Sequence, residues 1–112
     1  MGEIREIIKE IVKFRDERDW AQFHDTKNLA TAISIEASEL NELFLWKTVE
    51  ESENVNKTKI KEEIADILIF SLLLAEKHNL NVKDIILKKI HENSKKYPVD
   101  KVKGSAKKYT EL

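Results

Sequence analysis

Two acidic pairs, each inside a stretch with helical periodicity, constrain what this chain can fold into. The first pair is Glu36-Ala37-Ser38-Glu39 and the second is Glu63-Ile64-Ala65-Asp66. A spacing of three residues puts both acids of a pair on one side of a helix, about one turn apart. The spacing therefore predicts two helices, each of which presents two carboxylates in one direction.

The surroundings of Glu36 are apolar. With about 100° of rotation per residue, four apolar side chains fall within roughly 60° of it on a helical wheel. These are Leu29, Ile33, Leu40 and Leu43. A lone carboxylate buried in such a stripe costs several kcal/mol or gives up its charge, so a cation is expected to meet it.

The second pair stands beside an apolar interior, because its side of the helix continues as Phe70 and Leu73. If the two helices are antiparallel and face each other, four carboxylates come together. Four carboxylates repel strongly unless a divalent cation joins them. An all-oxygen set suits Mg²⁺, with Mn²⁺ as an alternative. The competing interpretation, exposed salt-bridge partners, fits Glu42 and Glu62 but does not fit Glu36.

Glu62 and Glu63 are neighbours, and the wheel separates them. The early apolar residues of this helix centre about 190° from Glu62 and about 90° from Glu63. They are Ile60, Ile64, Ile67 and Leu68. Glu62 is therefore expected to face water, whereas Glu63 lies at the border of the buried stripe and is the predicted metal ligand.

The composition excludes several classes of protein. The chain has 112 residues, which predicts a single domain over residues 1–112. Charged residues make up 37% but nearly cancel to a net charge of -1, so a surface for a nucleic-acid polymer is not indicated. Cysteine is absent, which excludes disulfides and thiolate ligands. No apolar stretch is long enough for a membrane span, so a soluble, cytoplasmic protein is expected.

The apolar periodicity predicts an all-α fold, with a protomer resembling an antiparallel four-helix bundle. Only two glycines and one proline interrupt the chain, which favours long helices. The predicted helices cover residues 3 to about 18, 25 or 26 to about 46 or 47, 56 or 58 to about 78, and 81 to about 97. Residues 48 to 57 are polar and acidic and are predicted to form a mobile loop.

The third of these helices is apolar nearly all round between Ile67 and Ala75. Such a helix should be buried on most sides, which a chain this short can hardly achieve alone. Oligomerisation is therefore expected, as a dimer or a tetramer. Asn79 is predicted to stop the helix in a left-handed conformation, followed by the apolar contact of Leu80.

Residues 19 to 27 interrupt the helical pattern and concentrate Trp20, Phe23, His24 and Lys27 in one short connection. The aromatic side chains could cover the end of the core, or they could form a wall on which a nucleobase stacks beside a hydrogen-bonding histidine. Because this segment and Trp46 approach the acidic residues from opposite ends of the second helix, we predict that Trp20 and Trp46 flank a base.

A di-iron helical bundle is the nearest alternative among metal proteins. Such sites need a histidine three residues after a glutamate. None of the three histidines, His24, His78 and His91, follows a glutamate at that spacing. The spacing therefore excludes the di-iron interpretation.

Taken together, the motifs form a recognisable series. In chain order they are Trp20-Ala21-Gln22-Phe23-His24, Lys27-Asn28-Leu29, Glu36-x-x-Glu39, Leu43-Phe44-x-Trp46-Lys47, Glu62-Glu63-x-x-Asp66 and Lys107-Lys108-Tyr109-Thr110-Glu111-Leu112. This series resembles the MazG-like all-α nucleoside triphosphate pyrophosphohydrolases, and is most similar to the dCTP pyrophosphatase branch.

The resemblance implies a nucleotide-pool enzyme that cleaves a nucleoside triphosphate, (d)NTP, to the monophosphate and pyrophosphate. It implies Mg²⁺ as the cofactor and a dimer or a dimer of dimers as the assembly. Carried over by position, the implied metal ligands are Glu36, Glu39, Glu63 and Asp66. The implied substrate-binding residues are Trp20, His24, Lys27, Trp46, Asn93, Lys96 and Tyr97.

The candidate catalytic residues are Glu36 and Glu39. Phosphoryl chemistry needs charge neutralisation and positioning more than covalent help, and one carboxylate could take a proton from the attacking water. The sequence does not say which. Two alternatives stay open: a non-catalytic helical interaction module that keeps the fold, and an enzyme like the phosphoribosyl-ATP pyrophosphohydrolases, against which the Trp20 to His24 segment argues.

Overall fold

The structure of the chain, a computed structural model, describes residues 2–112 and is helical with no β-strand in that range. The all-α prediction is therefore confirmed. None of the helices in residues 2–112 has both the length and the apolar character needed to cross a bilayer. The α-helices are α1 (Glu3–Glu17), α2 (Thr26–Glu42), α3 (Val49–Glu53), α4 (Lys57–Lys77), α5 (Val82–Lys96) and α6 (Val99–Val102), with 3-10 turns at Ala21–Phe23 and Tyr109–Glu111.

The four predicted long helices correspond to α1, α2, α4 and α5. The helix count differs from the prediction, because the short helices α3 and α6 bring the total to six. Helix α3 lies in the segment that was predicted to be a mobile loop. The Thr48 hydroxyl accepts from the Glu51 backbone N–H at 3.1 Å, and the Glu51 carboxylate accepts from the Thr48 N–H at 3.0 Å. This reciprocal capping box, which also lowers the pKa of Glu51, starts a helix where polarity alone indicates a loop.

Helix α2 ends at Glu42, earlier than the predicted Trp46 or Lys47. The next residues tighten into turns with hydrogen bonds to the third residue back, from Leu43 N–H to Leu40 and from Phe44 N–H to Asn41. Trp46 then adopts a left-handed backbone with φ of 64°. The turn takes Trp46 off the helix and leaves its side chain 93% exposed.

The other helix ends follow the sequence. Asp25 caps α2 by accepting from the Asn28 N–H at 2.7 Å, and Asn81 caps α5 in the same way. At the end of α4, Asn79 has φ of 55° and the Leu80 N–H donates to the Ala75 carbonyl. Short polar side chains thus satisfy backbone groups that a helix terminus leaves without partners.

The chain divides into an N-terminal unit, Met1–Leu80, and a C-terminal unit, Asn81–Leu112. In the N-terminal unit both α1 and α2 pack on α4. Arg5, near the start of α1, forms an ion pair of 2.7 Å with Glu76 near the end of α4. Thr26, at the start of α2, lies within hydrogen-bonding distance of His78, with 2.9 Å between Oγ1 and Nε2. Both α1 and α2 therefore run antiparallel to α4. For α2, this is the orientation in which the two acidic pairs are expected to face each other.

The buried core is small. Among residues 2–112 the buried hydrophobic side chains are Ile8, Leu29, Leu73 and Ala75. Helix α4 is predicted to need more cover than one short chain provides, and in the protomer its Ile64 and Leu68 are 43% and 53% exposed. Within the N-terminal unit, the main packing on α4 comes from α2 and α1.

The C-terminal unit is built around α5, which ends before Tyr97-Pro98 as predicted. The Tyr97 and Tyr109 rings meet edge to face with their centroids 5.9 Å apart. The ammonium group of Lys96 lies 4.9 Å from the centroid of the Tyr109 ring. These contacts tie the last turn of α5 to the C-terminal 3-10 turn.

Candidate functional site

Three carboxylates meet where α2 faces α4. Glu36 and Glu39 come from α2 and Glu63 comes from α4, and one oxygen of each lies within 4.8 Å of the others. Because α2 and α4 pack antiparallel, acidic residues that are distant in sequence lie at the same level along the two helices. Glu36 and Glu63 are half-buried, while Glu39 is exposed at the edge of the cluster.

The cluster is electrostatically unfavourable without a cation. Removal from solvent raises the pKa of Glu36 to about 7, helped by the nearby Glu39 and by the charges of Asp66 and Glu63. Removal from solvent also raises the pKa of Glu63, and Glu39 is again the next cause. The Oε2 atoms of Glu36 and Glu63 are buried and have no hydrogen-bond partner. Buried oxygens without partners are able to bind a positively charged ligand, which would offset the cost of their burial.

The donor set fits a hard divalent cation. All three groups offer oxygen, which Mg²⁺ and Mn²⁺ prefer over the softer ligands of zinc. Oxygens that share one Mg²⁺ lie at most about 4.2 Å apart, so small side-chain shifts would bring the observed cluster into range. Asp66 is half-buried and adds negative charge, although it lies outside the group of three. The assignment of all four acids as ligands stays a prediction.

Glu62 and Glu63 differ as the helical wheel predicts. Glu62 is exposed, whereas Glu63 is half-buried and belongs to the cluster. The register of α4 is therefore the expected one. The functional consequence, that Glu63 binds metal and Glu62 does not, remains a prediction.

His24 lies against α4, where it contacts a residue one helical turn after Asp66. Its ring meets the Phe70 ring edge to face at a centroid distance of 6.2 Å, and Phe70 follows Asp66 by one helical turn. Its Nδ1 atom is buried without a partner, and burial together with the positive charge of Arg15 lowers the pKa of the imidazole. His24 therefore has one buried hydrogen-bonding atom still to satisfy. The sequence pattern did not reveal Phe70 as its neighbour.

Trp20 and Trp46 lie in different environments. Trp20 packs edge to face on Phe14 of α1, with 5.7 Å between centroids, and remains partly exposed. Trp46 projects into solvent after the end of α2. The sequence did not indicate Phe14 as the partner of Trp20. That both tryptophans flank a base stays a prediction.

The remaining candidate residues are charged or polar. Lys27 is exposed in the first turn of α2. Asn93, Lys96 and Tyr97 belong to the C-terminal unit, at the end of α5 and just after it. Their roles in substrate binding stay predictions.

The raised pKa of Glu36 gives the metal-free protein a defined pH dependence. The folded protein holds the Glu36 proton up to a pKa of about 7, whereas the unfolded chain releases it near 4.5. Between these values the folded state binds more protons, so its stability should fall as pH rises. We expect the melting temperature of wild type minus that of Glu36→Gln, in a chelator, to decrease from pH 5 to pH 8. A difference that increases over this range would contradict the raised pKa.

The chain is similar in sequence to known proteins, and the similarity includes the acidic cluster. The model of the MazG-like family matches residues 31–112, which include both acidic pairs. The chain is 40% identical to dCTP pyrophosphatase 1 of Bos taurus and 37% identical to that of Homo sapiens, over 89% of its own length. It spans 62% of the length of each of these relatives.

A solved structure has a similar fold. The crystal structure of a pyrophosphatase from Archaeoglobus fulgidus superposes with a TM-score of 0.83 at 37% sequence identity. The match covers 88% of this chain and 94% of that one. The similarity therefore extends over nearly all the helices described above.

Proposed function

The chain belongs to the MazG-like family, and we propose that it is a metal-dependent nucleotide pyrophosphohydrolase. In this proposal it cleaves a (d)NTP to (d)NMP and pyrophosphate and cleans the cytoplasmic nucleotide pool. The relatives named dCTP pyrophosphatase support dCTP as the first substrate to test. The observation that carries the proposal is the cluster of Glu36, Glu39 and Glu63, in which two buried oxygens have no partner.

Glu36, Glu39 and Glu63 would hold the cation, and Asp66 would add charge or a further ligand. When bound there, Mg²⁺ or Mn²⁺ supplies charge neutralisation at the triphosphate and makes an attacking water more acidic. The protein's own contribution is to hold the carboxylates on two packed helices. Of the two candidate proton acceptors, Glu36 and Glu39, the exposed Glu39 has direct access to solvent water.

The nucleoside would be recognised by the aromatic segment and its surroundings. The buried Nδ1 of His24 offers a hydrogen bond to a base or sugar, which would satisfy an atom that now lacks a partner. Trp20 and Trp46 would stack on the base. Lysines such as Lys27 and Lys96 would meet phosphate oxygens, while Asn93 and Tyr97 would complete the pocket. We further propose that the enzyme works as a homodimer or homotetramer.

The test of this function is pyrophosphate release from the eight common nucleoside triphosphates, with and without Mg²⁺. We expect release that depends on Mg²⁺ and is fastest with a deoxynucleoside triphosphate. If no nucleotide gives Mg²⁺-dependent release, the fold serves as a non-catalytic interaction module. Adding phosphoribosyl-ATP to the panel separates the remaining alternative, since preferential cleavage of that compound would contradict the proposal.

Trp46→Ala tests the stacking role of this exposed side chain. Because Trp46 is almost fully exposed, its removal should leave the melting temperature nearly unchanged. Stacking on a base is worth about 1–3 kcal/mol, so nucleotide affinity should fall at least several-fold. Leu45→Ala, at the exposed neighbouring position, is the matched control for isothermal titration. Equal affinities in wild type and Trp46→Ala would remove Trp46 from the pocket.

A further inference from the structure

The chain returns to the end of α5 after the short helix α6. Beyond α6, Gly104 adopts a left-handed backbone with φ of 78°, a conformation that glycine takes without a steric cost. The N–H of the next residue, Ser105, donates to the Val102 carbonyl at 2.8 Å and closes this turn. The chain then reaches the 3-10 turn Tyr109–Glu111, whose first residue lies against the end of α5.

The Tyr109 ring contacts two adjacent residues there. Its centroid lies 5.9 Å from that of the Tyr97 ring, with 85° between the ring planes, an edge-to-face arrangement that aromatic pairs favour. Its centroid also lies 4.9 Å from the ammonium nitrogen of Lys96, inside the roughly 6 Å over which a cation is attracted to a ring. Tyr97 therefore holds the Tyr109 ring, and the ring holds the ammonium group of Lys96.

Lys96 is held by a ring rather than by a carboxylate. Its ammonium group has no ion-pair partner among residues 2–112, whereas Lys89 of the same helix pairs with Glu92 at 3.9 Å. A carboxylate partner would cancel the positive charge of the lysine, but a neutral ring attracts the ammonium group through its quadrupole and leaves the net charge in place. Lys96 is also exposed. It therefore presents an uncompensated positive charge that an anionic ligand can reach.

The contact with the ring orders Lys96 before any ligand binds. A lysine side chain is flexible, and ordering it during binding costs conformational entropy that weakens affinity. The Tyr109 ring restricts the side chain in advance and so reduces this cost. The ammonium group has three N–H donors, so one side can face the ring while another donates to a phosphate oxygen. A phosphate bound here would thus meet a cation that is already in place.

We propose that Tyr109 is a positioning residue that holds the ammonium group of Lys96 for the phosphate chain of the nucleotide. This role rests on the proposed function, in which Lys96 meets phosphate oxygens. The competing explanation is that Tyr109 only covers the end of α5 with apolar surface. Leucine would provide such cover without a quadrupole, whereas phenylalanine would keep the ring and lose only the hydroxyl. The variants Tyr109→Leu and Tyr109→Phe therefore separate the two explanations.

NMR spectroscopy of the whole chain without nucleotide tests the contact itself. Protons over the face of an aromatic ring resonate at lower frequency, so in protein labelled with ¹³C-lysine the terminal methylene of Lys96 should stand apart from those of other lysines. Its signal is assigned by its absence from Lys96→Gln. We expect the shift in wild type and in Tyr109→Phe, and its loss in Tyr109→Leu. No shift in wild type, or a shift that persists in Tyr109→Leu, would overturn the proposal.

Isothermal titration with Mg²⁺ and the α,β-imido analogue of dCTP, which cannot be cleaved between its α- and β-phosphates, tests the effect on binding. Tyr109→Leu should weaken affinity about two- to five-fold, the factor expected for a cation–π contact at an exposed site, whereas Tyr109→Phe should bind like wild type. In a Lys96→Gln background, Tyr109→Leu should cause no further loss, because residues that act through one contact are not additive. Lys95→Gln, the same change one residue away, is the matched control and should keep wild-type affinity.

The titration distinguishes failure of this role from failure of the proposed function. Equal affinities in wild type and Tyr109→Leu, or an equal loss with and without Lys96, would overturn the role of Tyr109 while leaving the proposed function supported. A wild type that does not bind the analogue would contradict both.

Discussion

Glu63→Gln is expected to lower Mg²⁺-dependent pyrophosphate release by at least about 100-fold, because Glu63 is the proposed metal ligand on α4 and even residues that only hydrogen-bond to a metal ligand typically cost about 10–100-fold when replaced. Glu63 comes from α4 into the cluster with Glu36 and Glu39, and its Oε2 atom is buried without a partner. An amide in its place removes one negative charge and one strong oxygen ligand. The measurement is the initial rate of pyrophosphate release across a Mg²⁺ titration.

Glu62→Gln is the matched control, since it makes the same chemical change one residue away. Glu62 is exposed and outside the cluster, so its variant should keep nearly wild-type activity. Both substitutions preserve helix propensity, and circular dichroism should show intact helices in both proteins. An inactive Glu62 variant beside an active Glu63 variant would invalidate the site assignment on α4.

The sequence predicted the long helices well because their signals are local and repeated. The apolar periodicity located α1, α2, α4 and α5, and the structure shows that Asp25 and Asn81 cap the starts of α2 and α5. The segment from Thr48 differs from the prediction because its acidic composition is typical of a loop, whereas the capping box Thr48-x-x-Glu51 starts a helix there. The end of α2 was misjudged because nothing in the periodicity signals the left-handed backbone of Trp46.

For the site, too, the sequence predicted the burial of single side chains but not their contacts with distant residues. The wheel placed Glu36 in an apolar stripe and Glu63 at its border, and both prove to be half-buried with orphaned oxygens. It could not find the contact of His24 with Phe70, because that contact depends on how the connection after α1 folds back on α4. Periodicity within one helix reports which way a side chain points. It does not report which distant ring the side chain meets.

The exposed stripe of α4 agrees with the expectation that a chain this short cannot bury the helix alone. Ile64 and Leu68 remain exposed in the protomer. Part of the apolar surface of α4 is thus exposed in the protomer, and its cover by a second copy stays a proposal.

Glu36→Leu is expected to stabilise the metal-free protein while removing its response to Mg²⁺. Removal from solvent, followed by the neighbouring carboxylates, raises the pKa of Glu36, so in a chelator a leucine should pack there at lower free-energy cost. A gain of about 1 kcal/mol would raise the melting temperature by about 4 °C in a domain of this size. Wild type should recover stability as Mg²⁺ is added, because a ligand that binds only the folded state stabilises it. The leucine variant should show neither this recovery nor pyrophosphate release.

Differential scanning fluorimetry in chelator and in a Mg²⁺ series measures both effects of this substitution. Glu42→Leu, an acid on α2 that is exposed and outside the cluster, is the matched control and should keep the Mg²⁺ response. A metal-free Glu36→Leu protein that melts well below wild type would show that the carboxylate stabilises the fold by itself. In that case the cluster would be a structural hydrogen-bonding centre, since a metal site must hold charge that is unfavourable until the cation binds.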